Sequence, residues 1–289
     1  MGIRISVVVA TLNCEKVIEQ FLKSYAEQDY ADRELIVIDG GSSDDTLKIV
    51  ERYRSETALI ISEKDRGVYD AYNKGIERAS GDYAVFFGAD DAFYDKRTLS
   101  NVAKTIVREN APDLLCTTVL YVDRAWAYIE KKRVLYGWEE GLKRKQPMIP
   151  HQGLYAKTEI LREHPFSLRY DISSDLEFYL YCHKTRKNIK YIDRVTAFFS
   201  RQGLSSNNEI KRKREENEIL AHYGEENTED HGGSELRRKL RQWLCRYKAG
   251  MILMIRFRGF RIHKCGNACC RWCAYNRMRI RKRDRRYGF

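Results

Sequence analysis

Two adjacent acids, Asp90-Asp91, close an apolar run. Other carboxylates stand at the ends of other apolar runs: Asp39 before Gly40-Gly41, then Glu63 and Asp65, then Asp175 at the start of a further apolar stretch. Neighbouring carboxylates repel unless a cation lies between them or one holds a proton. A hard divalent ion, Mg2+ or Mn2+, binds through one or two carboxylates and completes its shell with substrate phosphates. Placed so, it stabilises the negative charge of a departing diphosphate. Asp90 and Asp91 are therefore the metal candidates, with the direct ligand open between them. Asp175 opens an apolar helix, whose N-terminus favours a charged acid, and a carboxylate within reach of a hydroxyl can take its proton. Each has a plainer reading: a helix cap or solvated loop for the pair, a turn acid for Asp39, an N-terminal helix acid for Asp175. Glu177 lies two positions further and would point elsewhere around a helix. His151 is either an orienting group for an acceptor or phosphate, or a surface histidine.

The elements that must position these residues follow from apolar periodicity. Residues 3–10 (IRISVVVA), 34–39 (ELIVID), 58–62 and 82–88 (DYAVFFG) read as short strands, the first of them a β-branched run covered on both faces. Between them, Ile18, Phe21, Leu22 and Tyr25 make a helical stripe capped by Asn13, and Ser42 or Ser43 caps a helix whose first turn carries Asp44 and Asp45. Residues 67–79 give a third helix. The order β-α-β-α-β-α-β predicts an α/β fold: a mostly parallel sheet with helices on both faces. Ligands of such sheets bind beyond the carboxyl ends of the strands, where Thr11, Asn13, Asp39, Asp65, Asp90 and Asp91 fall. A helix at 96–109, a hairpin within 113–134, an irregular stretch up to Asp171, a helix at 176–182, a strand at 190–199 and a charged helix at 208–222 complete the body.

Composition narrows the classes. The chain has 289 residues, 43% hydrophobic and 33% charged, with only 4 Pro. Wholesale disorder and low-complexity architectures are excluded, and no apolar stretch is long enough for a membrane span. The formal net charge of +12 is uneven: residues 235–289 hold 18 Lys and Arg against Glu235 and Asp284, leaving a mildly acidic body. Of 8 cysteines, Cys14, Cys116 and Cys182 read as small apolar groups of the body. Cys265, Cys269, Cys270 and Cys273 crowd the tail too closely for an easy tetrahedral metal site.

Residues 6–13 (SVVVATLN), 36–46 (IVIDGGSSDDT), 67–75 (GVYDAYNKG) and 81–91 (GDYAVFFGADD) stand in the order and spacing of family 2 glycosyltransferases of the bacterial cell-surface polysaccharide type. The set resembles the nucleotide-binding half of a GT-A fold, and the resemblance continues through His151-Gln152-Gly153, Ser174-Asp175 and Gln202-Gly203-Leu204-Ser205. It implies that Thr11 and Asn13 lie by the nucleotide, that Asp39 receives a uracil ring and that Asp65 touches the nucleoside. It places Asp90 and Asp91 at the end of the family's metal-binding acidic motif, whose first position here is Gly88. Asp175 matches the general base. Residues 202–205 resemble a loop over the diphosphate, with Arg201 a candidate phosphate contact and Lys74 a weaker one. Tyr69, Tyr72 and Asn73 divide between packing and nucleotide contact.

The expected organisation is a GT-A catalytic domain over 1–206, with a nucleotide-sugar half to about 112 and an acceptor half from 113. A charged helix and linker span 207–234 and a basic amphipathic tail spans 235–289. The expected activity is inverting transfer of a sugar from a nucleotide diphosphate sugar, with uridine the expected base, to a hydroxyl of a lipid-linked or polysaccharide glycan. In the tail, Leu236, Leu240, Trp243, Leu244, Tyr247, Met251 and Met254 share one helical face among arginines, which suits an anionic membrane surface on the cytoplasmic side. Nucleic acid ranks below that as a partner. The alternatives are a glycoside hydrolase with paired carboxylates and a non-enzymatic membrane or nucleic-acid binder acting through the tail.

Overall fold

The computed structural model describes residues 2–122, 128–132, 150–200 and 208–225, with the backbone alone at 128–132. The expectations for Arg201, the 202–205 loop, the linker and the 235–289 tail, with Cys265, Cys269, Cys270 and Cys273, lie outside the described residues.

The first half alternates as the periodicity predicts: β1 (Ile5–Thr11), α1 (Ile18–Ala26), β2 (Arg33–Asp39), α2 (Thr46–Glu51), β3 (Leu59–Ser62), α3 (Val68–Arg78) and β4 (Tyr83–Gly88). Then come β5 (Ala92–Phe93), α4 (Thr98–Arg108), β6 (Leu114–Val122) and β7 (Tyr128–Lys132). The chain continues through a 3-10 turn at His151–Gly153, β8 (Leu154–Lys157), α5 (Thr158–Glu163), α6 (Ser174–Lys184), β9 (Ile189–Ser200) and α7 (Glu209–His222). One sheet runs in the order β3-β2-β1-β4-β8-β6-β9-β5, with β7 paired to β6. Strands β3, β2, β1 and β4 are mutually parallel, and so are β6 and β9; β8, β7 and β5 pair antiparallel to their neighbours.

Both faces are covered, which is why β1 is mostly apolar, and its Ser6 and Thr11 hydroxyls are paired with Glu34 and Asp39. Its Val8 packs with Tyr72 and Ile76 of α3, Leu161 of α5, Phe178 of α6 and Ile219 of α7. Its Ile5, Val7 and Val9 pack on the other face with Phe21 and Leu22 of α1, Val50 of α2 and Val102 of α4. Each such fully buried side chain contributes on the order of 1.5–3 kcal/mol of transfer free energy. Among the described residues no helix is long and apolar enough to cross a membrane.

The capping expectations need correction. Helix α1 starts at Ile18 after Val17, not from Asn13, and α2 starts at Thr46 after Asp45, so Asp44 and Asp45 precede the helix. The short polar side chains instead zip the two strand-end loops together: the backbone N–H of Cys14 donates to Thr46 Oγ1 (2.8 Å), Glu15 N–H to Asp44 (3.1 Å) and Asp45 N–H to Glu15 (3.1 Å). A carboxylate or hydroxyl serves a neighbouring loop as readily as its own helix, and the sequence alone does not choose between them. The stretch expected to be irregular before Asp171 contains β8 and α5, both too short to show a period.

Candidate active site

The parallel register brings the predicted residues to one edge. Thr11 lies opposite Asp39, Asp39 opposite Ser62, and Ala10 opposite Gly88. Asp39 is fully buried. Its Oδ1 accepts from the Thr11 hydroxyl (3.0 Å) and the Ser42 hydroxyl; its Oδ2 accepts from Gly41 N–H (3.1 Å), Ser42 N–H (2.9 Å) and the Ser62 hydroxyl (2.7 Å). Burial pushes the Asp39 carboxyl up, but these donors outweigh it and hold the group below the usual carboxylate range. Asn13 has a positive φ of 47°. Its N–H donates to Ser42 Oγ (2.8 Å) and its Oδ1 accepts from Ser43 N–H (2.9 Å). Asp65 accepts from Gly67 N–H (2.9 Å), and its other oxygen lies so near Gly40 that a Cβ there would come within 2.6 Å. Thr11, Asn13, Asp39 and Asp65 thus form one cluster. The Lys74 ammonium is engaged by Glu63 (2.8 Å), Asp70 (3.8 Å) and the Lys64 carbonyl (3.0 Å).

The acidic pair divides its labour. Asp91 is 1% exposed. Its Oδ2 accepts from Gly88 N–H (2.8 Å) and Gln152 Nε2 (2.6 Å), and its Oδ1 from Ser200 N–H (3.0 Å). One carboxylate therefore ties together the end of β4, the 151–153 turn and the end of β9. Asp90 has no such set of backbone donors among the described residues. Burial pushes both carboxyls up, Asp91 to about 7, where the charge of Asp90 adds to burial; a proton on His151 opposes both shifts. Among the described residues, no three His, Cys, Asp or Glu side chains converge to hold an ion by themselves. The donor set present, one less committed carboxylate beside a fully engaged one, fits an ion that takes the rest of its shell from water and phosphate oxygens, as Mg2+ and Mn2+ do. A Cβ at Gly88 would stand 3.2 Å from Asp90 Oδ1 and 3.2 Å from Asp91 Oδ2, so an acid there would crowd the pair.

Asp175 opens α6 and is 3% exposed. Its Oδ1 accepts from Leu176 N–H (2.9 Å) and lies 3.0 Å from the Tyr69 hydroxyl, which shares its one proton with the Ile172 carbonyl at 2.8 Å. Its Oδ2 lies 3.2 Å from His151 Nδ1, and His151 Nε2 lies 3.2 Å from the Tyr72 hydroxyl. With Asp175 charged and the ring neutral, Nδ1 donates to the carboxylate and the Tyr72 hydroxyl donates to Nε2. Burial raises the Tyr72 phenol far above its ordinary value, and the charges of Asp91, Asp175 and Asp90 raise it further, so the predicted base and the acidic pair share one environment.

Several functional side chains were not legible beforehand. Gln152 was part of a motif without a role; it now holds Asp91. Tyr69 and Tyr72 serve Asp175 and His151, whereas the Asn73 amide pairs with Phe166 through its N–H (2.9 Å) and carbonyl (2.8 Å). Glu177 does point away: it accepts from the Tyr223 hydroxyl (2.6 Å) and faces His164 (3.2 Å). Ser42 and Ser62 give no sequence signal beyond their place at strand ends.

Comparison with known proteins agrees with this geometry. The family model described as Glycosyl transferase family 2 matches residues 6–162. A PGL/p-HBAD biosynthesis glycosyltransferase of Mycobacterium tuberculosis is 31% identical over 210 residues, covering 70% of this chain and 78% of that protein. Among solved structures, S. aureus TarS 1-349 in complex with UDP-GlcNAc matches with a TM-score of 0.58 at 20% identity, covering 84% of this chain and 79% of that one. The mannosyltransferase PcManGT from Pyrobaculum calidifontis, in complex with GDP-Man and Mn2+, matches with a TM-score of 0.58 at 22% identity, covering 77% of this chain and 64% of that one. The fold is the GT-A, Rossmann-like one.

Proposed function

Because the chain belongs to glycosyl transferase family 2 and is a glycosyltransferase, we propose that it transfers a sugar from a UDP-sugar to a hydroxyl of a lipid-linked or polysaccharide glycan, in a single displacement with inversion. The observation that carries this reading is that the 151–153 turn joins the carboxylates: His151 faces Asp175 (3.2 Å) and Gln152 donates to Asp91 (2.6 Å), next to Asp90. The Asp175 carboxylate takes the acceptor proton as the acceptor oxygen bonds to the anomeric carbon and the bond to the diphosphate breaks. His151 holds that carboxylate in place from one side and Tyr69 from the other.

Asp90 would hold the divalent ion, with Asp91 fixing the loop that presents Asp90. When bound, the ion supplies charge neutralisation for the departing diphosphate, so no protein acid is required. PcManGT, a neighbour in fold, is described with Mn2+. Thr11, Asn13, Asp39 and Asp65 take the nucleoside. Asp39 has five protein donors, more than the roughly four lone-pair sites of a carboxylate. A uracil N–H takes the place of one of these donors. The basic tail over 235–289 holds the enzyme to an anionic membrane surface, each basic group near the surface contributing on the order of 1 kcal/mol.

Thermal unfolding with UDP, GDP, CDP and dTDP, each with and without Mn2+, tests the donor class. A ligand that binds only the folded state stabilises by RT ln(1+[L]/Kd). The expected result is a Mn2+-dependent shift with UDP above the others. A shift with GDP alone would move the base assignment, and no shift with any nucleotide would remove the donor reading.

A further inference from the structure

The helix that carries Asp175 is not capped by its own sequence. Its N-cap residue, Ser173, makes no side-chain cap bond, and the buried hydroxyls of Ser173 and Ser174 have no protein partner. Backbone N–H groups at a helix start need acceptors from elsewhere. The turn leading into this helix, residues 171–173, finds its acceptors in Glu215 of α7, which is 7% exposed. Glu215 Oε1 accepts from Asp171 N–H (3.1 Å), and Oε2 accepts from Ile172 N–H (2.9 Å) and Ser173 N–H (3.0 Å). A carboxylate seated in three successive backbone N–H groups is a strong, directional anchor.

The same five residues are gripped from the other side. The Ile172 carbonyl faces the Tyr69 hydroxyl, which also reaches Asp175. Segment 171–175 is therefore clamped between α3 and α7. Around the anchor, Lys211 pairs with Asp171 and Arg169 with Glu218, both exposed, and the Tyr223 hydroxyl donates to Glu177 (2.6 Å). The exposed pairs add little, so Glu215 dominates the grip.

We infer that Glu215 is a positioning residue for the transfer reaction: from α7 it fixes the turn that aims Asp175. This rests on the reading of Asp175 as the base. The UDP contacts assigned above come from the ends of β1, β2 and β3, to which α7 contributes nothing. Loss of Glu215 therefore acts on turnover and not on donor binding. A misplacement of about 1 Å at a reacting group costs ~10²-fold in rate. Glu215→Ala removes all three acceptors and is expected to lose about that much. Glu215→Gln keeps one acceptor oxygen and is expected to lose ~10-fold.

The test uses the full chain and its Glu215→Ala, Glu215→Gln and Asp175→Asn variants. Rates are read as UDP release from UDP-glucose, UDP-galactose and UDP-GlcNAc, with water as acceptor, across pH and with Mn2+. Amide hydrogen exchange is followed over residues 171–176. The expected result is a fall in kcat with the UDP dissociation constant and the donor KM within about twofold of the parent. The acidic limb of the pH–rate profile should move, and exchange at 171–176 should rise in both Glu215 variants. A mere loss of folded protein would scale the rate and leave that limb in place. An unchanged kcat in folded Glu215→Ala, an unmoved limb, or unchanged exchange overturns the inference; if Glu215→Ala does not fold, Glu215→Gln decides. Parent-like turnover in Asp175→Asn removes the base reading and this inference with it. A dead Asp175→Asn beside an unaffected Glu215→Ala removes the positioning role alone.

Discussion

Asp175→Asn separates chemistry from architecture at the proposed base. The amide oxygen can occupy the Oδ1 place and keep the contacts with Leu176 N–H (2.9 Å) and the Tyr69 hydroxyl (3.0 Å). Its NH2 then faces His151 Nδ1, 3.2 Å from the present Oδ2. The ring adapts by moving its proton to Nε2, where the Tyr72 hydroxyl becomes the acceptor. The buried Tyr72 O–H then loses its present acceptor, so the stability cost should be about 1–3 kcal/mol. The rate tells a different story, because an amide cannot accept the proton. General-base catalysis contributes about 10²–10⁴-fold, a barrier increase of about 3–5 kcal/mol. Asp175→Ala gives the contrast. It leaves Leu176 N–H with the Ser173 carbonyl alone (3.1 Å) and removes the carboxylate facing His151, at about 1–3 kcal/mol for a buried group left unpaired. The assays are melting temperature, UDP affinity with Mn2+, and UDP release from the sugar-nucleotide panel. Asp175→Asn turning over within about threefold of the parent would refute the assignment, since no base worth 10²-fold or more would have been removed.

Three further perturbations read other parts of the site. In Gly75→Ala, the new Cβ would lie 2.4 Å from Val8 Cγ1; overpacking of about 1–3 kcal/mol should exceed the helix-propensity gain of about 1 kcal/mol, and a melting temperature at or above the parent would show that α3 is not seated so tightly on β1. Burial, and then the charge of Asp90, push the Asp91 carboxyl of the folded chain up to about 7 from the ordinary 3.8. The folded chain thus holds a proton that the unfolded chain lacks between those values, so stability of the metal-free protein should fall as pH rises through that window and Mn2+ affinity should rise; a pH-independent Mn2+ affinity by calorimetry would contradict this. Asp39→Asn turns an NH2 toward at least one of five donors at a group whose acidic carboxyl, held down by Ser42, Ser62 and Thr11 against burial, stabilises the fold above its unfolded value. The expected result is loss of the UDP-induced thermal shift and about 1–3 kcal/mol of stability, and a full UDP shift would detach Asp39 from the nucleoside.

What was legible in the sequence followed physical range. The β-branched run of β1 and the stripe of α1 are local patterns, and both elements formed where the periodicity put them. Once the parallel order is fixed, the edge on which Thr11, Asp39 and Gly88 meet follows from register. Capping was misjudged because Asn13, Ser42 and Asp44 have acceptors that a neighbouring loop can use equally well, and only the tertiary fold decides. The choice between Asp90 and Asp91 was illegible for the same reason. It depends on Gln152 and on Ser200 N–H, 61 and 109 residues away from Asp91. Glu215 stands in a charged helix beside Glu216, which is also buried, and nothing local marks which of the two meets residues 171–173.

The donors around each carboxylate sort the acids better than their number does. Asp91 and Glu215 are held by amide N–H groups, which do not give up their protons and therefore fix geometry. Asp39 adds hydroxyls, but two of its five donors are backbone N–H groups of its own turn. Asp175 differs in kind. Apart from Leu176 N–H, it is held by a phenol and an imidazole, and the imidazole is held in turn by a second phenol. Those are exchangeable protons in a continuous chain, so the charge state of Asp175 can change while its neighbours re-pair without moving. A carboxylate that must take a proton during a reaction needs surroundings of that second kind. Asp175 has such surroundings, which supports the proposal that it is the base, while the amide donors of Asp91 suit a carboxylate that fixes geometry.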